Sequence, residues 1–245
     1  MEVLIIILFA VLIVCFLLYE DYKDSRYKEG AYYQITKNPY SSVKFDKGKY
    51  AEYLTYEFLR HFENNGAKFL FNVFIPTKYN GTTEIDVLLI YPKGLFVFEC
   101  KNYSGWIFGH EAQNNWTQTL PKGRGNCHKE YFYNPIMQNA SHIRHLKNIV
   151  GKNVPMRSII VFSNRCVLKD ITIKNNDINV INHYSLAPLV AQLCNQIQTE
   201  IYTETEINDI YSKLYPYTQL SYDAKEQHIE SIRNDTFTWK VRSNS

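Results

Sequence analysis

Two short runs of this chain set acids and a base at the spacing that hydrolysis of a phosphate ester needs. The first reads Thr82-Thr83-Glu84-Ile85-Asp86 and continues apolar through Ile90; the second reads Gly94-Leu95-Phe96-Val97-Phe98-Glu99-Cys100-Lys101. Both are rich in β-formers, and Tyr91-Pro92-Lys93-Gly94 between them has turn chemistry, so a hairpin is expected. Side chains alternate along a strand, which puts Glu99 and Lys101 on one face and Cys100 on the other. Cleaving a phosphodiester requires a deprotonated water, a stabilised leaving oxygen and relief of the charge that builds on phosphorus. A divalent cation held by carboxylates can serve these needs, and Mg²⁺ favours one or two carboxylates plus waters and phosphate oxygens. Asp86 and Glu99, on adjacent strands, can converge on such an ion. Lys101 beside them can orient the water, help deprotonate it, or neutralise the transition state. Glu52, on a helix expected over residues 47–64, can approach from the helix layer as a further ligand or as a partner of metal-bound water.

The same spacing has a plain structural reading. An Asp near a strand start often serves a turn, and Glu and Lys at i, i+2 often form a solvated ion pair. Context favours chemistry. Phe96-Val97-Phe98 lead directly into Glu99, and charge emerging from a buried strand needs a compensating partner.

The elements that must position these groups follow from hydrophobic spacing. Ala51, Leu54, Phe58, Leu59 and Phe62 recur at helical intervals before the stop signal Asn64-Asn65-Gly66. Residues 68–75 alternate as a strand closed by Pro76, and a short strand is expected at 106–108. Residues 110–133 read as a loop or hairpin anchored by Trp116. A helix is expected from Pro135 to about Val150, then strands at 157–162 and 178–181, and helices at about 185–201 and 204–215. This order predicts a mixed α/β (α+β) architecture with a hairpin-rich central sheet flanked by helices. Trp106 and Trp116 are expected in the core. His142 and His145, with no third ligand at a matching spacing, are expected as surface or packing residues.

Composition sets outer bounds. A chain of 245 residues holds one sizeable domain plus additions, and 45% apolar with 21% charged residues excludes global disorder. A formal charge of +3 does not argue for nucleic acid by itself. The 20 Tyr and 14 Phe fall largely in strand-like runs and read as packing. Lys122, Arg124 and Lys129, around Gly123 and Gly125, form a basic cluster that is a weak candidate for contact with a phosphate backbone. The cysteines lack metal-binding spacing and are expected as free thiols.

Val3 to Tyr19 contains no charged residue and can span a membrane as a helix. No basic n-region precedes it and no small-residue cleavage site follows, so it reads as an uncleaved anchor. Lys23, Arg26 and Lys28 come directly after the span, which predicts an external N-terminus and a cytoplasmic C-terminal domain. Residues 21–45 are polar and rich in Tyr and Lys, with Asn38-Pro39 marking irregular backbone, and read as a juxtamembrane linker.

Taken together, Glu84-Ile85-Asp86, the run from Gly94 to Tyr103, Gly105, Ile107 to Gly109, Trp116 and Asn134-Pro135-Ile136-x-Gln138-Asn139 resemble the nuclease-related domain (NERD) family. That family is a branch of the PD-(D/E)xK restriction-endonuclease-like superfamily, and the resemblance covers about residues 45–150. It implies a restriction-endonuclease-like core and cleavage of DNA or RNA with Mg²⁺ or Mn²⁺. Asp86, Glu99 and Glu52 would then be metal ligands and Lys101 the catalytic lysine. Ala51 precedes Glu52 where the family commonly has Gly, and Ile85-Asp86 replaces the superfamily's Pro-Asp. For Gln138 the alternatives are contact with substrate phosphate or the Lys101 neighbourhood, and helix capping; for Asn139 capping is favoured. The implied organisation is an anchor at 1–20, the linker, a nuclease-like domain at 46–162, an extension completing it at 163–215, and a polar tail at 216–245. The alternative function is a domain without catalysis that acts as a membrane-tethered nucleic-acid-binding or protein-interaction scaffold.

Overall fold

The computed structural model describes residues 2–77, 81–123 and 126–220. Arg124 and most of the polar tail, residues 221–245, lie outside them. The chain begins as one helix, α1 (Glu2–Glu29), whose apolar part is long enough to cross a membrane and exposes its large side chains.

Residues 21–45 are not an irregular linker. α1 continues to Glu29, followed by α2 (Ala31–Thr36) and α3 (Tyr40–Phe45), with irregular backbone only around Asn38-Pro39 between them, and Tyr27, Tyr32, Ile35 and Val43 are buried. Tyrosine makes the segment read as polar, yet its ring is apolar and only its tip needs a partner. The Tyr27 hydroxyl donates to the Asn38 carbonyl at 2.7 Å while its ring packs on Tyr40 at 5.1 Å and Tyr53 at 5.2 Å. Part of the high Tyr content is therefore the glue between α1 and the domain. α4 (Lys47–Leu59) follows, capped by Asp46, whose carboxylate accepts the N–H groups of Gly48 and Lys49. A 3-10 turn, Arg60–Asn65, ends it at Gly66.

The strands are β1 (Lys68–Pro76), β2 (Thr82–Tyr91), β3 (Gly94–Lys101), β4 (Gly105–His110), β5 (Asn115–Lys122), β6 (Asn126–Tyr133), β7 (Met156–Phe162), β8 (Cys166–Thr172) and β9 (Ile178–Asn182). They form two mixed sheets. One has the order β1-β2-β3-β7-β9, with β3, β7 and β9 parallel; the other is β6-β5-β4-β8. Val87 to Ile90, Leu95 to Phe98 and Ile159 to Phe162 are fully buried, as expected for a sheet covered on both faces. α5 (Pro135–Val150) packs on β2, β3 and β7, while α4 covers the opposite face. α6 (Leu186–Asn195) lies against α4, and α7 (Glu204–Leu214) against β1 and β2.

Of the two readings open for residues 110–133, the hairpin is the one formed, β5 with β6. Two details differ from the sequence expectations. β8 is an additional strand whose side chains are mostly exposed, so no apolar run marks it. Trp106 is 42% exposed, whereas Trp116 is wholly buried and stacks on Phe162. Trp116 also lies against the backbone of Gly109, where any Cβ would collide with the indole. Gly109→Ala is therefore expected to destabilise the fold by about 1–3 kcal/mol, read as a lower thermal midpoint of the full chain in detergent.

Candidate active site

The site forms where β2 and β3 part company. Their ladder ends at Val87↔Phe98, and beyond it the Asp86 Oδ2 accepts the Cys100 N–H at 2.7 Å. The carboxylate thus takes a backbone donor that strand pairing no longer satisfies. On its other side the β1–β2 pairing is interrupted at Asn72, between Phe71↔Val87 and Val73↔Ile85. Asn72 has φ of 49°, the left-handed region that few non-glycine residues enter and that concentrates at functional sites. Its side chain hydrogen-bonds Glu52.

Alternation along β3 sends its last residues to different layers. Cys100 turns toward α4, with Sγ 3.2 Å from the Thr55 Oγ1. Glu99 and Lys101 turn toward α5. The Lys101 Nζ lies 2.6 Å from Glu99 Oε1 and donates to Gln138 Oε1 at 3.1 Å. The other Glu99 oxygen, Oε2, lies 3.0 Å from His142 Nε2, and His142 Nδ1 lies 2.6 Å from the Thr83 Oγ1. His142 thus bridges the two, with one ring nitrogen on the Glu99 carboxylate and the other on the Thr83 hydroxyl. α5 can present both partners because Gln138 and His142 are four residues apart, on one helix face. Its start is set by Asn134, whose Oδ1 accepts the Ile136 N–H, with Pro135 in the first turn.

Electrostatics separates the acids. Burial alone would raise Glu99, but Lys101 and the His142 hydrogen bond hold its carboxyl below the usual range. Burial would lower Lys101, yet Glu99 and Asp86 hold the ammonium well above its ordinary value. Lys101 is therefore a fixed cation, suited to neutralising charge or orienting water rather than to taking a proton. Asp86 is pushed well up by burial and by the charges of Glu99 and Glu52. Glu52 is pushed up to about 7 by burial, against the hydrogen bonds from Asn72 and Tyr32.

These shifts have a testable sign. A carboxyl raised in the folded state stabilises the fold at low pH, and that stability is lost as pH rises through the folded pKa. Taking Glu52 from 4.5 to about 7, the metal-free chain should be about 2 kcal/mol less stable at pH 8 than at pH 5.5. Asp86 acts in the same direction. Thermal unfolding in EDTA at the two pH values checks this, and equal midpoints would mean that Glu52 ionises freely in the folded state.

The structure brings Asp86, Glu99, Lys101 and Gln138 together, with Glu52 close enough to act on Asp86. Lys122 and Lys129 are exposed on the β5–β6 hairpin, and among the described residues no hydrogen bond or ion pair joins them to this cluster. Asn139 is buried and donates to the Val97 carbonyl and the Ser158 hydroxyl, tying α5 to the sheet; Asn134 provides the cap expected from it. His142 is buried, so its expectation as a packing residue understated it: it touches Glu99 directly. The four-residue step from Gln138 was the signal for it in the sequence. Asn72 had no signal, because nothing in Phe71-Asn72-Val73 announces a left-handed residue inside a strand.

Among the described residues no group of three or more His, Cys, Asp or Glu is gathered in a form that could hold a metal ion. The oxygens of Glu99 are engaged by Lys101 and His142, and Glu52 by Tyr32 and Asn72. Even so, the donor chemistry fits a hard cation. Asp86 and Glu99 are carboxylates, Mg²⁺ needs only one or two of these plus waters, and a cation would relieve the repulsion that raises Asp86.

Comparison with known proteins agrees with this architecture. The nuclease-related domain matches residues 47–163. An uncharacterized protein of Bacillus anthracis is 30% identical over 189 residues, covering 77% of this chain and 84% of that protein. No solved structure matches. From the match that spans α4 through β7, the chain belongs to the nuclease-related domain family, within the restriction-endonuclease-like superfamily.

Proposed function

We propose that this protein is a metal-dependent nuclease that hydrolyses phosphodiester bonds of DNA or RNA and is held at a membrane by α1. The observation that supports it most is the fixed ammonium of Lys101, held by Glu99 and Gln138 beside the Asp86 carboxyl. Asp86 and Glu99 would hold Mg²⁺ or Mn²⁺, with Glu52 reached through water, and the ion would supply an activated water and Lewis-acid stabilisation of the phosphate. Lys101 neutralises charge as it grows on the phosphoryl oxygens and orients the attacking water. Gln138 fixes the lysine so that it need not reorganise during the reaction. His142 holds Glu99 ionised and in one rotamer. Cys100 takes no part: its thiol is pushed far up by burial and by Asp86.

The apolar helix fits a single-pass membrane protein. The basic residues directly after it support an external N-terminus and a cytoplasmic site. Degradation of plasmid DNA and of RNA by the full chain in detergent, with and without Mg²⁺ or Mn²⁺, tests the function. Absence of cleavage together with retained binding to nucleic acid would replace it by the membrane-tethered scaffold.

A further inference from the structure

Asn102, the residue after Lys101, forms one wall of a cleft of about 390 Å³ that is also lined by Lys44, Phe45, Lys47, Tyr50 and Arg165. Its three cations are exposed, and no ion pair among the described residues uses them. The acid on its lining, Asp46, is engaged by the Gly48 and Lys49 N–H groups as the cap of α4. Three cations against the single Asp46 carboxylate leave this concavity net positive on a chain whose formal charge is only +3. They are also arranged in advance. Arg165 Nη2 donates to Asn102 Oδ1 at 2.7 Å, and Asn102 Nδ2 donates to the Lys47 carbonyl at 2.7 Å. One side chain therefore ties two of the cationic residues to the end of β3. At the rim, Phe45 is 83% exposed, with the Lys44 Nζ 5.9 Å from its ring centroid.

We propose that this cleft binds the backbone of a single nucleic-acid strand on one side of the scissile phosphate. Lys44, Lys47 and Arg165 would contact phosphates, and Phe45 would stack on an unpaired base. Cations along a groove with an exposed aromatic ring, whose second face is left for a base, are the combination that binds single strands without reading sequence. Asn102 follows Lys101 directly, but its side chain reaches α4 while that of Lys101 reaches α5, so the cleft flanks the Asp86–Glu99–Lys101 site without sharing its lining, and its link to the scissile phosphate rests on the nuclease reading.

Binding is measured on the full chain in nanodiscs of neutral lipid, in EDTA, with fluorescein-labelled single-stranded and duplex oligonucleotides over a range of salt. Each phosphate contact contributes about 0.7 to the slope of log K against log salt for a single strand. The K44A/K47A/R165A variant is expected to lose roughly 2 of that slope and at least about tenfold in affinity. K44A/K47A, which leaves the Arg165 hydrogen bonds intact, should lose about two-thirds of that slope change. K152A/K213A, two exposed lysines outside the cleft, should behave as wild type. Phe45→Ala should remove the preference for single strand over duplex. An unchanged slope in both cleft variants, or duplex bound as tightly as single strand by the wild type, would overturn the proposal. Wild type that binds through these cations but never cleaves would keep the cleft and remove the nuclease. Cleavage with an unchanged slope in K44A/K47A/R165A would do the opposite.

Discussion

Replacing Lys101 with alanine is expected to lower metal-dependent cleavage of plasmid DNA and RNA by about 10³-fold, the usual effect of removing a preorganised charge-stabilising group. The argument rests on where the ammonium sits. It contacts Glu99 at 2.6 Å and Gln138 at 3.1 Å, is largely enclosed, and is kept protonated by Glu99 and Asp86. Its removal also leaves Glu99 buried with only His142 as a partner. The variant should therefore be destabilised by about 3 kcal/mol, and activity must be compared at a temperature where it is folded. Gln138→Ala separates the two consequences. It keeps the Lys101–Glu99 pair and the stability, but frees the lysine to reorient, so a smaller loss of about tenfold in kcat is expected, with KM little changed. Equal cleavage by wild type and Lys101→Ala would assign any activity to another site.

Asp86→Asn is expected to move stability in opposite directions with and without metal. In EDTA at pH 8 the wild-type carboxylate is half-buried and repelled by Glu99 and Glu52. A neutral amide removes that repulsion and its oxygen can still accept the Cys100 N–H, so the variant should be more stable than wild type by about 1–2 kcal/mol. With Mg²⁺ or Mn²⁺ at a hundred times its Kd, wild type should gain about 2.7 kcal/mol through linkage, and Asp86→Asn should gain little. Cleavage should be lost in the same variant. Thermal melts with and without metal decide the point: an equal metal-dependent shift in wild type and variant would show that Asp86 does not hold the ion. The sign in EDTA is a separate test. If the variant were less stable there, the Cys100 hydrogen bond would outweigh the repulsion among the acids.

Legibility in the sequence followed the range of the interactions. Strand alternation and turn chemistry are local, so the β2–β3 hairpin and the shared face of Glu99 and Lys101 could be read from the residues. Helix periodicity placed α4 and α5 in the same way, and with them Glu52 and Gln138. The misreadings had equally definite causes. Tyrosine's dual character made residues 21–45 look like a polar linker, although their rings pack into the domain. β8 is mostly exposed, so it carried no burial pattern. Trp106 and Trp116 are the same residue type near the same sheet, and only pairing and packing determine which is enclosed.

By itself the sequence determined the pair of strands bearing Asp86, Glu99 and Lys101, the helices around them, the apolar N-terminal helix and the likeness to a nuclease family. Each of these depends on spacing within a few residues or on composition within a segment. Only the tertiary structure decided that Asp86 accepts the Cys100 N–H, that His142 and Gln138 divide the task of holding Glu99 and Lys101, and that Asn72 adopts a left-handed backbone beside Glu52. It alone placed Lys44, Lys47 and Arg165 in one cleft although they come from α3, α4 and the turn before β8. The reason is physical: such contacts join segments tens of residues apart, and burial and charge in the folded chain, not local preference, set their geometry.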